Sequence, residues 1–123
     1  MKSIKSYTDI EQSKKLAEIL PLESADMCYV NDGTAIKIDA NSYSVRYSMW
    51  KDCVVAIIPC WSLAALLSVL PLPRLIQDKA DDELFWQCSA YDEDGILLCE
   101  IYDNNAINAC YEMILKLNEL KML

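Results

Sequence analysis

An uncharged stretch of twenty residues, 54–73, constrains the fold more than any other part of the chain. A run of that length is long enough to span a bilayer as a helix. Three prolines interrupt it, and the segment between them, residues 60–70, has only eleven residues. That length is typical of a buried core helix, so the sequence predicts no membrane span and no membrane partner.

The composition predicts a single globular domain covering residues 1–123. A chain of 123 residues suits one domain and is long enough to bury a core without disulfide bonds. Hydrophobic residues make up 54% of it, somewhat above the roughly 45–50% usual for soluble domains. The apolar surplus has two explanations, a dense core or a surface that another chain covers, and the composition does not choose between them.

The formal charge of −8 is concentrated in the second part of the chain. Residues 52–123 hold four Lys/Arg against twelve Asp/Glu, whereas residues 1–51 hold seven of each. Because phosphate backbones repel acidic surfaces, we expect no nucleic-acid partner. An acidic surface that imitates nucleic acid, and so acts as a decoy for a basic protein, remains an alternative.

Several kinds of chemistry are missing from the sequence. It has no histidine, which excludes Ser-His-Asp and Cys-His nucleophilic sites and every His-ligated metal site. The only two glycines, Gly33 and Gly95, cannot form a glycine-rich phosphate loop. The six cysteines contain no C-x-x-C pair, and the acidic residues before Gly95 do not fit a calcium loop, so we predict no metal and no cofactor.

The cysteines indicate a reducing compartment. The chain starts without an apolar secretory segment, and several cysteines fall inside apolar runs, where a thiol behaves as a small hydrophobic group. The prediction is therefore buried free thiols and a cytoplasmic location.

The first half of the chain predicts one helix and several short strands. Thr8 and Glu11 match a capping box, which predicts a helix over residues 9–20. Apolar runs split by turn residues, followed by a period-two alternation, predict an antiparallel meander and a fourth strand. The predicted strands are residues 27–30, 34–38, 43–49 and 53–58.

The second half predicts two helices and a hairpin. Ser62 should cap a helix that ends near Leu70, and residues 72–83 are predicted to be a loop. Apolar runs on both sides of residues 92–95 predict a hairpin, and Asn104 or Asn105 should cap a final helix to about residue 121. The predicted fold class is α+β, an antiparallel sheet of four to six strands with helices packed on one face.

Two segments resemble a known group of proteins. They are the Pro-x-Trp-Ser-Leu start of a helix at residues 59–63 and the run Asp-Asn-x-x-x-x-Ala-Cys-Tyr-Glu-Met-Ile at residues 103–114. Together they resemble short uncharacterised proteins of phages and prophages from anaerobic gut bacteria. The resemblance implies a small phage accessory protein, and it supplies no catalytic residue. Read structurally, the first motif places Trp61 as a buried anchor behind a helix capped by Ser62.

The sequence favours a non-catalytic protein that acts through protein–protein contacts. A small enzyme or ligand-binding protein, with carboxylates in an aromatic pocket, is the alternative, and its candidate acids are Asp39, Glu100 and Asp103. No residue type or spacing singles out one of them as catalytic.

The final helix supplies the candidate interface. Its main apolar stripe, formed by Cys110, Met113, Leu117 and Leu120, is enough to pack the helix on a sheet. Three further apolar residues lie beside that stripe and suit a symmetric helix-to-helix contact, which predicts a homodimer. The predicted interface residues are Tyr111, Leu115 and Met122.

Overall fold

The structure is a computed structural model that describes residues 5–29, 35–37 and 58–123. The predicted turn at residues 31–33 and the predicted strand at 43–49 lie outside these residues, as do Asp39, Trp50 and Cys53. The described residues form two compact units, one of residues 7–29, 35–37 and 58–65 and one of residues 5–6 and 66–123. No observation tests the single-domain prediction, which stays a prediction.

The N-terminal unit combines a helix with a three-stranded antiparallel sheet. Helix α1 (Ile10–Ala17) precedes strands β1 (Met27–Tyr29), β2 (Ala35–Lys37) and β3 (Ile58–Cys60), in the order β2-β1-β3. Pro59 directly follows the predicted strand 53–58, yet it lies inside β3 opposite Cys28. A proline is tolerated there because β3 is at an edge of the described sheet and needs no donor on its outer side.

The cap of α1 is one residue later than the sequence indicates. The capping box is formed by Asp9 and Gln12, not by Thr8 and Glu11. Thr8 is fully buried, and its hydroxyl accepts the main-chain N–H of Trp61 at 3.1 Å. The Thr8 side chain, which the local sequence pattern assigns to the helix cap, therefore bonds instead to Trp61, a residue distant in sequence.

Ser62 and Trp61 have the roles that the sequence predicts. The Ser62 hydroxyl accepts the N–H of Ala65 at 3.2 Å at the start of helix α2 (Leu63–Val69). Asp26 holds Ser62 in turn, because its carboxylate accepts both the main-chain N–H and the hydroxyl of that residue. Trp61 is fully buried.

The C-terminal unit is a three-stranded antiparallel sheet with a helix on one face. The strands β4 (Arg74–Ala80), β5 (Glu83–Tyr91) and β6 (Leu97–Asp103) follow one another in sequence and in space. Helix α3 (Ala106–Glu119) packs against β5 and β6. Its buried residues include the predicted Cys110, Met113 and Leu117.

The α+β class is confirmed, but each described sheet has three strands, fewer than the four to six predicted. The hairpin of β5 and β6 is confirmed as well, with Gly95 at φ +79° in its loop. Asn105 caps α3 by accepting the N–H of Asn108 at 3.1 Å.

The prediction of a loop over residues 72–83 is wrong, because β4 occupies most of it. Six of the seven residues of β4 are exposed and only Leu75 is half-buried. The strand therefore has no buried face that would require an alternation of apolar and polar residues in its sequence. Asp81 and Asp82 form the turn to β5 with φ of +50° and +65°. Two consecutive positive φ values define the type I′ turn that suits a two-residue hairpin.

This turn offers a way to stabilise the protein. Asn and Gly are the residues that a type I′ turn prefers, whereas aspartate at positive φ carries some strain. The double variant Asp81→Asn, Asp82→Gly should raise the free energy of unfolding by about 1 kcal/mol in urea denaturation. Glu93→Gly, at the tip of the other hairpin, is the matched control and should not stabilise. A double variant no more stable than the wild type would contradict the expectation.

Candidate functional site

The face of the C-terminal sheet that points away from α3 is the candidate site. Cys88 of β5 faces the helix, since its Sγ lies 3.8 Å from Sγ of Cys110. Side chains alternate along a strand, so Gln87 and its cross-strand partners Ile76 and Tyr102 point to the opposite side. We call this side the open face. Its residues on the three strands are Arg74, Ile76, Asp78, Phe85, Gln87, Glu100 and Tyr102, together with Ser89, which is buried.

Three apolar side chains lie on the open face, with Phe85 next to Tyr102 and with Ile76 across Gln87 from Tyr102. Ile76 is 41% exposed and Tyr102 58% exposed, while Phe85 is half-buried. The rings of Phe85 and Tyr102 are tilted against each other with their centroids 6.0 Å apart. We call these residues the apolar patch. Single exposed apolar residues are common, but a group on one rigid sheet is a feature of contact surfaces.

Hydrogen bonds fix the polar residues beside the apolar patch. The side-chain amide of Gln87 donates to Glu100 Oε1 at 2.7 Å, and the Tyr102 hydroxyl donates to Glu100 Oε2 at 3.4 Å. Both oxygens of the carboxylate are therefore engaged by neighbours on the same face. The arrangement holds Tyr102 and Gln87 in place before any partner binds, which lowers the ordering cost of binding.

The candidate carboxylates do not form a pair. Glu100 and Asp103 are three positions apart on β6, so their side chains point to opposite faces of the sheet. Asp103 accepts the main-chain N–H of Asn105 at 3.0 Å just before α3. That contact is a local capping interaction, and Asp39 lies outside the described residues.

The predicted interface residues of the final helix differ in their exposure. Tyr111 and Leu115 are half-buried, whereas Met122 is 48% exposed beyond the end of α3. Leu120, assigned by the sequence to the buried stripe, is exposed. Its position follows from the end of the helix, where Lys121 has φ +59° and Met122 N–H bonds to Leu117 O at 2.8 Å. This is a Schellman motif, which gives Met122 a role within its own chain. The helix-to-helix dimer stays a prediction.

A cluster of buried polar residues in the N-terminal unit is held together by hydrogen bonds. Its members are Thr8, Ser13, Tyr29 and Cys60, and the Tyr29 hydroxyl donates to the Thr8 carbonyl at 2.6 Å. Burial raises the pKa of the Cys60 thiol and also that of the Tyr29 hydroxyl. A thiol kept protonated is a poor nucleophile. The role that the geometry does show for the cluster is to supply hydrogen bonds within the fold.

All described cysteines are free thiols, and Cys99 alone among them is not fully buried. In the C-terminal unit, the contact with Cys88 and burial together raise the pKa of the Cys110 thiol.

Among residues 5–29, 35–37 and 58–123, no three Cys, Asp or Glu side chains are grouped as metal ligands would be. None of the helices in this part of the chain has the length and apolar character needed to cross a membrane.

The first aspartate of the acidic loop between β5 and β6, Asp92, forms hydrogen bonds within the loop. The Asp92 carboxylate accepts the main-chain N–H groups of Asp94 and Ile96, each at 2.9 Å. Such contacts stabilise the turn itself, as the hairpin prediction implies.

The open face was not found from the sequence, although one signal for it exists. In β5, Phe85, Gln87 and Ser89 alternate with Trp86, Cys88 and Ala90, so each set lies on its own face. The alternation is weak because both sets mix apolar and polar residues.

Comparison with known proteins identifies no relative: no family model, no curated protein and no solved structure matches the chain. The resemblance to phage and prophage proteins therefore stays a prediction.

Proposed function

We propose that the protein is non-catalytic and acts by binding another protein through the open face of its C-terminal sheet. The observation that carries the proposal is the exposure of Ile76 and Tyr102 on a face where hydrogen bonds to the Glu100 carboxylate already hold Gln87 and Tyr102. Aromatic side chains are enriched at the centres of protein interfaces, where they bury a large area at low entropic cost. Two of the three patch residues, Ile76 and Tyr102, are exposed, whereas Tyr111 and Leu115 are both half-buried. We therefore favour the patch over the helix stripe.

The geometry gives less support to the other functions. A ligand-binding pocket would need converging carboxylates, whereas Glu100 and Asp103 point to opposite sides of the sheet. An acidic decoy would need an unbroken line of carboxylates, whereas the open face mixes Asp78 and Glu100 with Arg74 and the apolar patch. The phage or prophage accessory role is part of the proposal and rests on the resemblance alone. A cytoplasmic location rests on the free, mostly buried thiols.

The test is a capture experiment with matched variants. The tagged chain is incubated with an extract of the cells from which it comes, and bound proteins are quantified by mass spectrometry. The variant Ile76→Ser, Tyr102→Ser removes the exposed part of the patch. Leu84→Ser is the control, because Leu84 is also 58% exposed but lies on the other side of the sheet.

A specific partner should be enriched by the wild type and by the control, and its enrichment should fall by about tenfold or more with the patch variant. Binding of that partner, once purified, should show the same ranking in calorimetry. Equal enrichment by all three proteins would contradict the proposal.

A further inference from the structure

We propose that a second copy of this chain also binds this sheet, by pairing its strand β4 with β4 of the first copy in antiparallel register around Ile76. The inference goes beyond the proposed function, since the edge of the sheet, and not its open face, would bind the second copy. It differs from the helix-to-helix dimer because the contact runs along the sheet edge beside the open face.

The outer edge of β4 has no strand partner within the described residues. There, β4 pairs with β5 on one side and with no strand on the other. Six of its seven residues are exposed. An exposed edge strand presents unpaired N–H and C=O groups to which another strand can bond.

The turn determines which backbone groups face outward. Ala80 and Glu83 flank a two-residue turn, so they form a hydrogen-bonded pair, and every second residue back along β4 bonds to β5 as well. The outward groups therefore belong to Leu75, Gln77 and Lys79. Consistently, the Lys79 N–H donates to the Asp78 carboxylate at 2.7 Å.

Charge complementarity selects the register. With Ile76 opposite Ile76 of the second copy, Arg74 of each chain lies opposite Asp78 of the other on the open face. Leu75 then lies opposite Gln77, and each such pair exchanges two main-chain hydrogen bonds. A register centred on Gln77 would put Ile76 opposite Asp78, and one centred on Asp78 would put two carboxylates together. The register around Ile76 is the one that gives both an apolar centre and opposite charges.

Two further features agree with this register. The next outward residue, Lys79, would lie opposite Pro73, which has no N–H to donate, so the ladder ends there without leaving a donor unused. Arg74 and Lys79 are also two of the four cations of residues 52–123. Together with Asp78 they give β4 a small positive charge within an otherwise acidic part of the chain, which reduces the repulsion between two β4 strands. The product is one continuous antiparallel sheet, in which the three-stranded C-terminal sheet of one copy is joined to that of the second copy.

A charge swap tests the pairing. Sedimentation equilibrium should show a dimer for the wild type at about 100 µM and a dissociation constant about tenfold or more weaker for Arg74→Asp and for Asp78→Arg. The double variant Arg74→Asp, Asp78→Arg restores opposite charges across the contact and should recover the dimer. Circular dichroism checks that each variant is folded, and both sites are exposed.

Disulfide cross-linking tests the register of the two β4 strands. Ile76→Cys should give a covalent dimer on non-reducing gels after mild oxidation, because residues 76 would face each other as a closely spaced non-hydrogen-bonded pair. Gln77→Cys is the matched control and should cross-link no more than the wild type. The reverse ranking would overturn the proposed register.

A wild type that stays monomeric at about 100 µM would overturn self-pairing. So would a dimer that is insensitive to the charge variants but dissociates in the variant Tyr111→Glu, Leu115→Glu, which would instead support the helix-to-helix contact. Neither result affects the capture experiment, because loss of a different captured partner with the Ile76, Tyr102 variant would still support the proposed function.

Discussion

Replacement of Trp61 with alanine should lower the free energy of unfolding by about 3–5 kcal/mol. The side chain is 0% exposed, so the substitution leaves a large cavity in the N-terminal unit. It also removes the indole N–H that donates to the Ser24 hydroxyl at 3.0 Å. Equilibrium unfolding in urea, followed by circular dichroism, measures the loss.

Two matched variants separate the contributions to that loss. Trp61→Phe keeps an aromatic ring in the core and loses the hydrogen bond, so it should cost clearly less than alanine. Trp86→Ala removes the same side chain from a half-buried position on β5 and should also cost less. An unfolding curve for Trp61→Ala that coincides with the wild-type curve would show that Trp61 is not part of the core.

The second large effect is expected at Thr8, where the replacement keeps the size of the side chain. Thr8→Val should destabilise the protein by roughly 2–4 kcal/mol, because two buried groups each lose a hydrogen-bond partner. They are the main-chain N–H of Trp61, 3.1 Å from Thr8 Oγ1, and the Ser13 hydroxyl, 2.8 Å from it. Thermal and urea unfolding give the difference from the wild type.

Thr8→Ser is the control, because it keeps the hydroxyl and deletes only a methyl group, at a cost of about 1 kcal/mol. The variant Thr8→Val, Ser13→Ala should lose less than the sum of its two single variants, since both changes remove the same hydrogen bond between Thr8 and Ser13. If valine proved as stable as the wild type, the hydroxyl contacts would contribute nothing to stability.

The elements predicted correctly are those encoded by strong local signals. The Ser62 and Asn105 caps and the hairpin around Gly95 each depend on a few adjacent residues with a defined geometric role. The burial of Trp61 follows in the same way from its size and from the apolar segment around it.

The errors arise where contacts distant in sequence decide the outcome. Thr8 fits a helix cap by spacing, yet the main chain at Trp61 competes for its hydroxyl. Strand β4 has no hydrophobic alternation, since an edge strand with little coverage has no buried face to encode. The open face was missed for a related reason: it needs the register of three strands, and the sequence alone did not place β4.

The arrangement of the C-terminal sheet also bears on the order in which the chain folds. Strands β4, β5 and β6 are joined by the turn at Asp81 and Asp82 and by the loop ending at Gly95, so each pairing closes only a small loop. Such hairpins form within microseconds and cost little chain entropy. Strand β1 must instead find β3, which pairs Met27 with the distant Cys60. We expect the amides of β5 to gain protection from solvent exchange before those of β1, so the meander would be in place while the N-terminal sheet is still forming.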